Sequence, residues 1–302
     1  MSPSFTRRTL LAGAAGLAHA ANNLLIDTHI HLFDPAKFPY HPLAPYKPPA
    51  QPLEPYAEFV RQAGIAHTIL VHPEPYQDDH RYLEYCFAHE PSPGFFKGTC
   101  LFDPVDPQTP ARMATLAHRN PGRIVALRIH EMGKAGEAPL PSGPIKNRDM
   151  RSPAMRETWR HVHSMGLAIQ MHFLPVHAPE IGALAAQFRD MPVLLDHLAR
   201  AGQGTPAEWK QVLALAKLPR VYIKFSGIEY SSHQPFPYRD AQPLVRQAVD
   251  AFGADRMLWG GLGHNLAEFK KNTELFGEML GYLSAADQAK IRGENARVLF
   301  HF

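Results

Sequence analysis

The sequence predicts a single α/β domain, a closed (β/α)8 barrel of the TIM type, and three observations predict it. Short apolar, β-rich runs alternate with amphipathic helical runs eight times along the chain. Strict alternation implies parallel strands, because parallel neighbours need a crossover connection and a helix is the usual one. The 302 residues, 45% hydrophobic and 20% charged, suit one large domain with a buried core, at the size usual for eight such units.

The strand candidates are 24–28, 67–72, 96–101, 124–129, 168–172, 193–196, 221–226 and 257–259. Several intervening helices open at a proline, namely Pro55, Pro110, Pro153, Pro179, Pro206 and Pro243. Proline suits the first helical turn because its missing N–H would have no partner there. An open doubly wound sheet is the competing fold. It ranks second because no Gly-rich phosphate loop follows any strand, and Gly260-Gly261-Leu262-Gly263 lacks both the lysine and the spacing. Two long loops, over 35–55 and 131–151, fall on the C-terminal face of such a barrel, where loops shape substrate access.

Net charge is +3 with basic residues dispersed, which argues against nucleic acid as a partner. The two cysteines, Cys86 and Cys100, read as inert buried thiols. Arg7-Arg8, an apolar stretch over 11–17 and Ala18-His19-Ala20 resemble a twin-arginine export signal covering residues 1–20. The barrel would then occupy 21–302 and reach the periplasm or beyond through the twin-arginine machinery. No segment has the roughly 20 apolar residues of a membrane span. The barrel is compatible with a homo-oligomer, and its partner is a small-molecule substrate.

In a barrel the chemistry sits where strands end. Asp27-Thr28-His29-Ile30-His31 places two histidines at i and i+2, on one face of a strand, a spacing that suits a metal. Strand two ends in His72 and Glu74, strand three in Asp103, strand four in His130 and Glu131, strand five in His172, strand six in Asp196 and His197; strand eight runs into His264. Histidines converging on one rim are what a metal or proton-transfer site requires.

The chain resembles the amidohydrolase superfamily, in the amidohydrolase-related group of lactonases, lactone hydrolases and metal-dependent decarboxylases. The resemblance rests on Ile26-Asp27-Thr28-His29-Ile30-His31, Ile69-Leu70-Val71-His72-Pro73, Ile169-Gln170-Met171-His172, Leu195-Asp196-His197-Leu198, Tyr222-Ile223-Lys224-Phe225-Ser226-Gly227, Phe252-Gly253-Ala254-Asp255-Arg256-Met257-Leu258-Trp259-Gly260 and Lys290-Ile291-Arg292-Gly293-Glu294-Asn295-Ala296. It implies that His29, His31 and His172 ligate a divalent metal, zinc before manganese, and that His197 orients water or substrate. One position departs. Where the family carries an aspartate after strand eight, this chain has Leu262, which can neither ligate nor carry a proton. His264, two residues on, is the preferred substitute for the proton transfer, with Asp103 and Glu131 behind it.

His72, Tyr76, Asp79, Arg128 and Lys224 are the expected substrate contacts. An ion pair across strands, with Asp27, Asp103 or Asp196, is the alternative for Arg128 and Lys224. The expected activity is metal-dependent hydrolysis of a small ester or lactone. A decarboxylase of the same superfamily comes second, and a catalytically silent ligand-binding barrel, suggested by Leu262, third.

Overall fold

A computed structural model describes residues 24–261 and 263–302; the expected export signal and Leu262 lie outside the described residues. Eight strands form one sheet in the order β1 to β8, every neighbouring pair parallel. They are β1 (Ile26–Ile30), β2 (His67–Val71), β3 (Phe96–Cys100), β4 (Ile124–Glu131), β5 (Ala168–Phe173), β6 (Val193–Leu195), β7 (Val221–Phe225) and β8 (Met257–Trp259). The first and last strands meet where the Thr28 hydroxyl donates to the Trp259 carbonyl at 2.7 Å and the Gly261 N–H donates to Asp27 at 2.8 Å. This is the nearly closed barrel that the alternating pattern predicts, with strand bounds shifted by one or two residues. Among the described residues no helix is long and apolar enough to cross a membrane.

The crossover helices are α1 (Leu53–Ala63), α2 (Arg81–Ala88), α3 (Thr109–Arg119), α4 (Pro153–Ser164), α5 (Ala178–Ala185), α6 (Pro206–Ala214), α7 (Gln242–Phe252) and α8 (Leu266–Leu280). Pro153 and Pro206 are first helical residues, preceded by Ser152 and Thr205, whose side chains accept the Met155 and Glu208 N–H groups. Pro110, Pro179 and Pro243 are second helical residues, and Pro55 is the third residue of α1. It still falls in the first turn, where N–H groups lack intrahelical partners.

Side-chain alternation sorts the barrel interior into layers. Ile69, Ala126, Ala168, Leu194, Tyr222 and Leu258 fill the N-terminal end, plugged by Ala296 and Phe300 of α9 (Asn295–Phe300), a helix that continues from a short helix over Ala285–Ala289 and a π-helical turn over Lys290–Glu294. Two residues further along their strands come Arg128, Gln170, Asp196 and Lys224, all at most 2% exposed. Two further still, the ends of β4 and β5 carry His130 and His172. On β1 the register shifts between Asp27 and Ile30, and a bulge of this kind re-aims the side chains beyond it.

The loops over the sheet are closely fitted. A Cβ on Gly202 would fall on the backbone carbonyl of Ser231, and backbone yields less readily than a side chain. Gly202→Ala should therefore lower stability by about 2 kcal/mol or more, read as a fall in Tm. An unchanged Tm would mean that the two loops are free to separate.

Candidate active site at the C-terminal rim

The rim is built on Asp196. Its Oδ2 accepts Arg128 Nε at 3.1 Å and Gln170 Nε2 at 3.1 Å, and its Oδ1 lies 3.4 Å from both Lys224 Nζ and His29 Nδ1. Burial pushes the Asp196 carboxyl up, but Lys224, His29 and Arg128 outweigh it and hold it well below the usual carboxylate range. Burial lowers the Lys224 ammonium to about 8. That ammonium donates to the Thr28 carbonyl and to Gln170 Oε1, both at 2.9 Å, and is wholly buried.

His29 sits directly above this layer. Its Nε2 lies 3.4 Å from His31 Nε2, so the two strand-one imidazoles do share one face. His31 Nδ1 is tied to the Val71 carbonyl at 2.7 Å, which leaves Nε2 as its outward donor. Burial pushes both rings well below their ordinary pKa, so both are neutral near pH 7 with lone pairs available. Two donors bound at 2.0–2.1 Å to one tetrahedral cation lie about 3.3 Å apart. The pair therefore fits a divalent cation. Gly260 lets the chain pass underneath, since a Cβ there would sit 2.7 Å from that of His29.

The other rings follow in a connected set. His197 lies 4.4 Å from His29 and 5.4 Å from His172, centroid to centroid. Its Nδ1 pairs with Ser226 Oγ at 3.1 Å, and burial lowers it to about 3. The sequence reading put His172 with His29 and His31, and here the arrangement differs. His172 Nδ1 faces His130 Nδ1 at 3.1 Å, and its Nε2 accepts Arg200 Nε at 3.0 Å. Arg200 reaches it because His197, Leu198, Ala199 and Arg200 all take left-handed backbone, with φ of +53°, +49°, +52° and +50°. Such residues cost roughly 1–2 kcal/mol each without glycine, and strain of this kind collects at functional sites. No glycine marks the turn, so nothing in the sequence reading pointed to Arg200.

Several expected substrate contacts are corrected. Arg128 and Lys224 form the cross-strand ion pairs with Asp196 that the sequence reading gave as the alternative. His72 belongs to the outward face of β2, opposite to Val71, where its Nε2 lies 2.9 Å from the Gln77 carbonyl. Tyr76 is 1% exposed, and its hydroxyl accepts the Asp34 N–H at 2.8 Å, anchoring the proline-rich loop. Asp79 pairs on the surface with Arg81 at 2.6 Å. His264 is committed at both nitrogens: Nε2 lies 2.7 Å from the His31 carbonyl and Nδ1 3.2 Å from Gln51 Nε2. It braces the end of β1 rather than offering a free nitrogen for proton transfer. Asp103 and Glu131 meet Arg148, at 2.8 Å and through its backbone N–H at 3.0 Å, and so hold the 131–151 loop.

A (β/α)8 barrel with imidazoles gathered at the C-terminal ends of its strands defines a class of metal-assisted hydrolases. The family model described as Amidohydrolase matches residues 26–302, and the chain belongs to that family. It is 28% identical over 242 residues to a 4-sulfomuconolactone hydrolase from Rhizobium radiobacter, covering 78% of this chain and 73% of the relative. A structure from Acinetobacter baumannii, described as a candidate 2-pyrone-4,6-dicarboxylic acid hydrolase with citric acid bound, superposes with a TM-score of 0.73 at 20% identity, over 92% of this chain and 99% of that one. An amidohydrolase from Burkholderia multivorans with bound zinc superposes with a TM-score of 0.64 at 18% identity, over 92% and 99%. At these identities the two structures establish the fold.

Two outcomes follow from the electrostatics. Removing one member of a buried charge cluster leaves the others uncompensated, so Lys224→Met should cost about 3–5 kcal/mol, measured by denaturant unfolding; a loss under about 1 kcal/mol would show that Arg128 and Gln170 suffice for Asp196. Burial raises the Glu131 carboxyl from 4.5 to about 8. Between those values the folded chain keeps a proton that the unfolded chain has lost, so this contribution is full below 4.5 and fades as pH rises through about 8. Glu131→Gln keeps the acceptor for Arg148 N–H and removes the titration. Its Tm relative to wild type should climb between pH 5 and pH 9, and a constant difference would show Glu131 ionised throughout.

Proposed function

We propose that the chain hydrolyses a small lactone or ester at this rim, with zinc as the divalent cation held by His29 and His31. The observation that carries the reading is the 3.4 Å Nε2–Nε2 separation of two neutral imidazoles, His29 buried and His31 half-buried, in a chain of the Amidohydrolase family. The lactone chemistry of the Rhizobium relative and the zinc of the Burkholderia structure support it. When bound, the cation supplies Lewis acidity, polarising a carbonyl oxygen and making water more acidic.

The protein's own groups do the remainder. Asp196 fixes the ring of His29 from beneath, as partners behind a ligand histidine commonly do. His197, anchored at Nδ1 by Ser226, presents Nε2 beside His29 as the group that orients the attacking water. The Arg200 guanidinium, 4.2 Å from the face of Tyr230, is the candidate contact for a carboxylate or other anionic group on the substrate. In the reaction, water oxygen bonds to the acyl carbon and the acyl C–O bond breaks. The departing oxygen takes a proton and the new carboxylic acid loses one, so protons balance.

A panel of sugar 1,5-lactones, unsaturated dicarboxylic lactones and simple esters, followed by acid release, tests this. At least one lactone or ester should be turned over. His29→Asn should lower kcat/KM by about 10²-fold or more with an unchanged far-ultraviolet circular dichroism spectrum. No turnover across the panel, or full activity in His29→Asn, would overturn the reading.

A further inference from the structure

Hydrolysis is helped by a group that takes a proton from the attacking water and passes it to the departing oxygen, and most candidates at the rim are committed elsewhere. Asp196 is held by Arg128, Gln170 and Lys224. Asp27 accepts the His29 and Gly261 N–H groups where the barrel closes. Asp103 and Glu131 hold the 131–151 loop through Arg148, and His264 braces the end of β1. His197 would have to carry a positive charge in the buried company of Arg128, Arg200 and Lys224. After β8 the chain offers Leu262 between two glycines, a side chain that carries no proton.

Glu74 is placed differently. It opens a single 3-10 turn, Glu74–Tyr76, just beyond β2, the strand that pairs with β1. The end of that strand also supplies the Val71 carbonyl that ties down His31. Around the rim the rings run from His29 to His197, His172 and His130, and Glu74 Oε2 lies 3.5 Å from His130 Nδ1. Strand order therefore sets Glu74 in the remaining sector of the circle, between His130 and the strand-one pair.

Its main chain is fixed, since the Glu74 carbonyl accepts both the Gln77 N–H at 2.9 Å and Gln77 Nε2 at 2.6 Å. Its carboxylate is left uncommitted. The side chain is 13% exposed, and among the described residues no lysine or arginine forms an ion pair with it. Burial pushes the carboxyl up, while Arg128, Lys146 and Arg200 pull it down from a distance. These charges favour the anion, the form that accepts a proton, without closing on it.

We infer that Glu74 is the proton carrier of the hydrolysis proposed above, an assignment that rests on that reading. The water oxygen bonds to the acyl carbon as one water proton passes to the Glu74 carboxylate. The acyl C–O bond then breaks, the departing oxygen takes that proton, and Glu74 is a carboxylate again. The other water proton leaves to solvent from the new carboxylic acid, so atoms and charge balance.

The test uses the full chain loaded with zinc and a lactone or ester that it turns over. Glu74→Gln keeps the shape and removes the base, so kcat should fall by about 10²-fold or more while KM stays within about threefold. Glu74→Asp keeps a base and should retain more activity than Glu74→Gln. Zinc affinity by calorimetry should match wild type in each variant, with folding checked by the melting curve. In Glu74→Ala, added formate should restore part of the lost rate, because a diffusible carboxylate can enter the vacated space, and it should do nothing for His29→Asn. Wild-type kcat in Glu74→Gln, zinc lost with the carboxylate, or no formate rescue of Glu74→Ala would overturn the inference. Activity lost in His29→Asn but kept in Glu74→Gln would reject Glu74 alone and leave the hydrolysis standing, whereas a wild-type chain that turns over no lactone or ester would remove both.

Discussion

A single carboxylate at the middle of the barrel sets the terms for everything above it. Burying the Asp196 charge would cost several kcal/mol on its own, and the barrel supplies Arg128, Gln170 and Lys224 from three other strands to offset that cost. Each comes from the same layer of inward-facing residues, so the set assembles only if all four strands keep register. The layer therefore couples the closure of the sheet to the geometry of the rim. Lys224 extends the coupling to β1 through the Thr28 carbonyl, one residue before His29.

Above that layer the histidines are shaped by burial rather than by charge. His29, His31, His130 and His172 are all driven toward the neutral form by desolvation first, with nearby cations adding to it. Neutral imidazoles keep a lone pair available for a cation, and are poorly suited to storing protons at neutral pH. Asp196 lies beneath them as a fixed negative charge, matched by Arg128 and Lys224. The rim thus holds two sets of side chains, the strand-one pair and His130 with His172 and Glu74, linked through the rings of His29, His197 and His172.

The left-handed run from His197 to Arg200 gives the rim its second distinguishing feature. Its conformational cost is met by burial, since His197, Leu198 and Ala199 are each 3% exposed or less. It folds the half-buried Arg200 back against His172. The proline-rich loop after β1 is held in a comparable way, with Tyr76 capping Asp34 and His264 gripping the His31 carbonyl, so residues that the sequence offers as a substrate contact and a proton carrier serve as loop anchors.

Periodicity determined the fold, because alternating runs of two-residue and 3.6-residue repeats leave a parallel barrel as the economical arrangement. All eight strands were legible that way, as was the shared face of His29 and His31, since both depend on local geometry. What the sequence could not decide was partnership. Whether Arg128 and Lys224 meet a ligand or a carboxylate, whether His172 joins His31 or His130, and whether His264 is free or braced are all set by side chains from strands far apart in the chain. His72 shows the limit in one residue: it stands at a strand end like the others, yet it faces outward because strand parity, and not proximity to the rim, decides where a side chain points. Arg200 shows it in another, because a left-handed turn without glycine exists only where the packed barrel holds it.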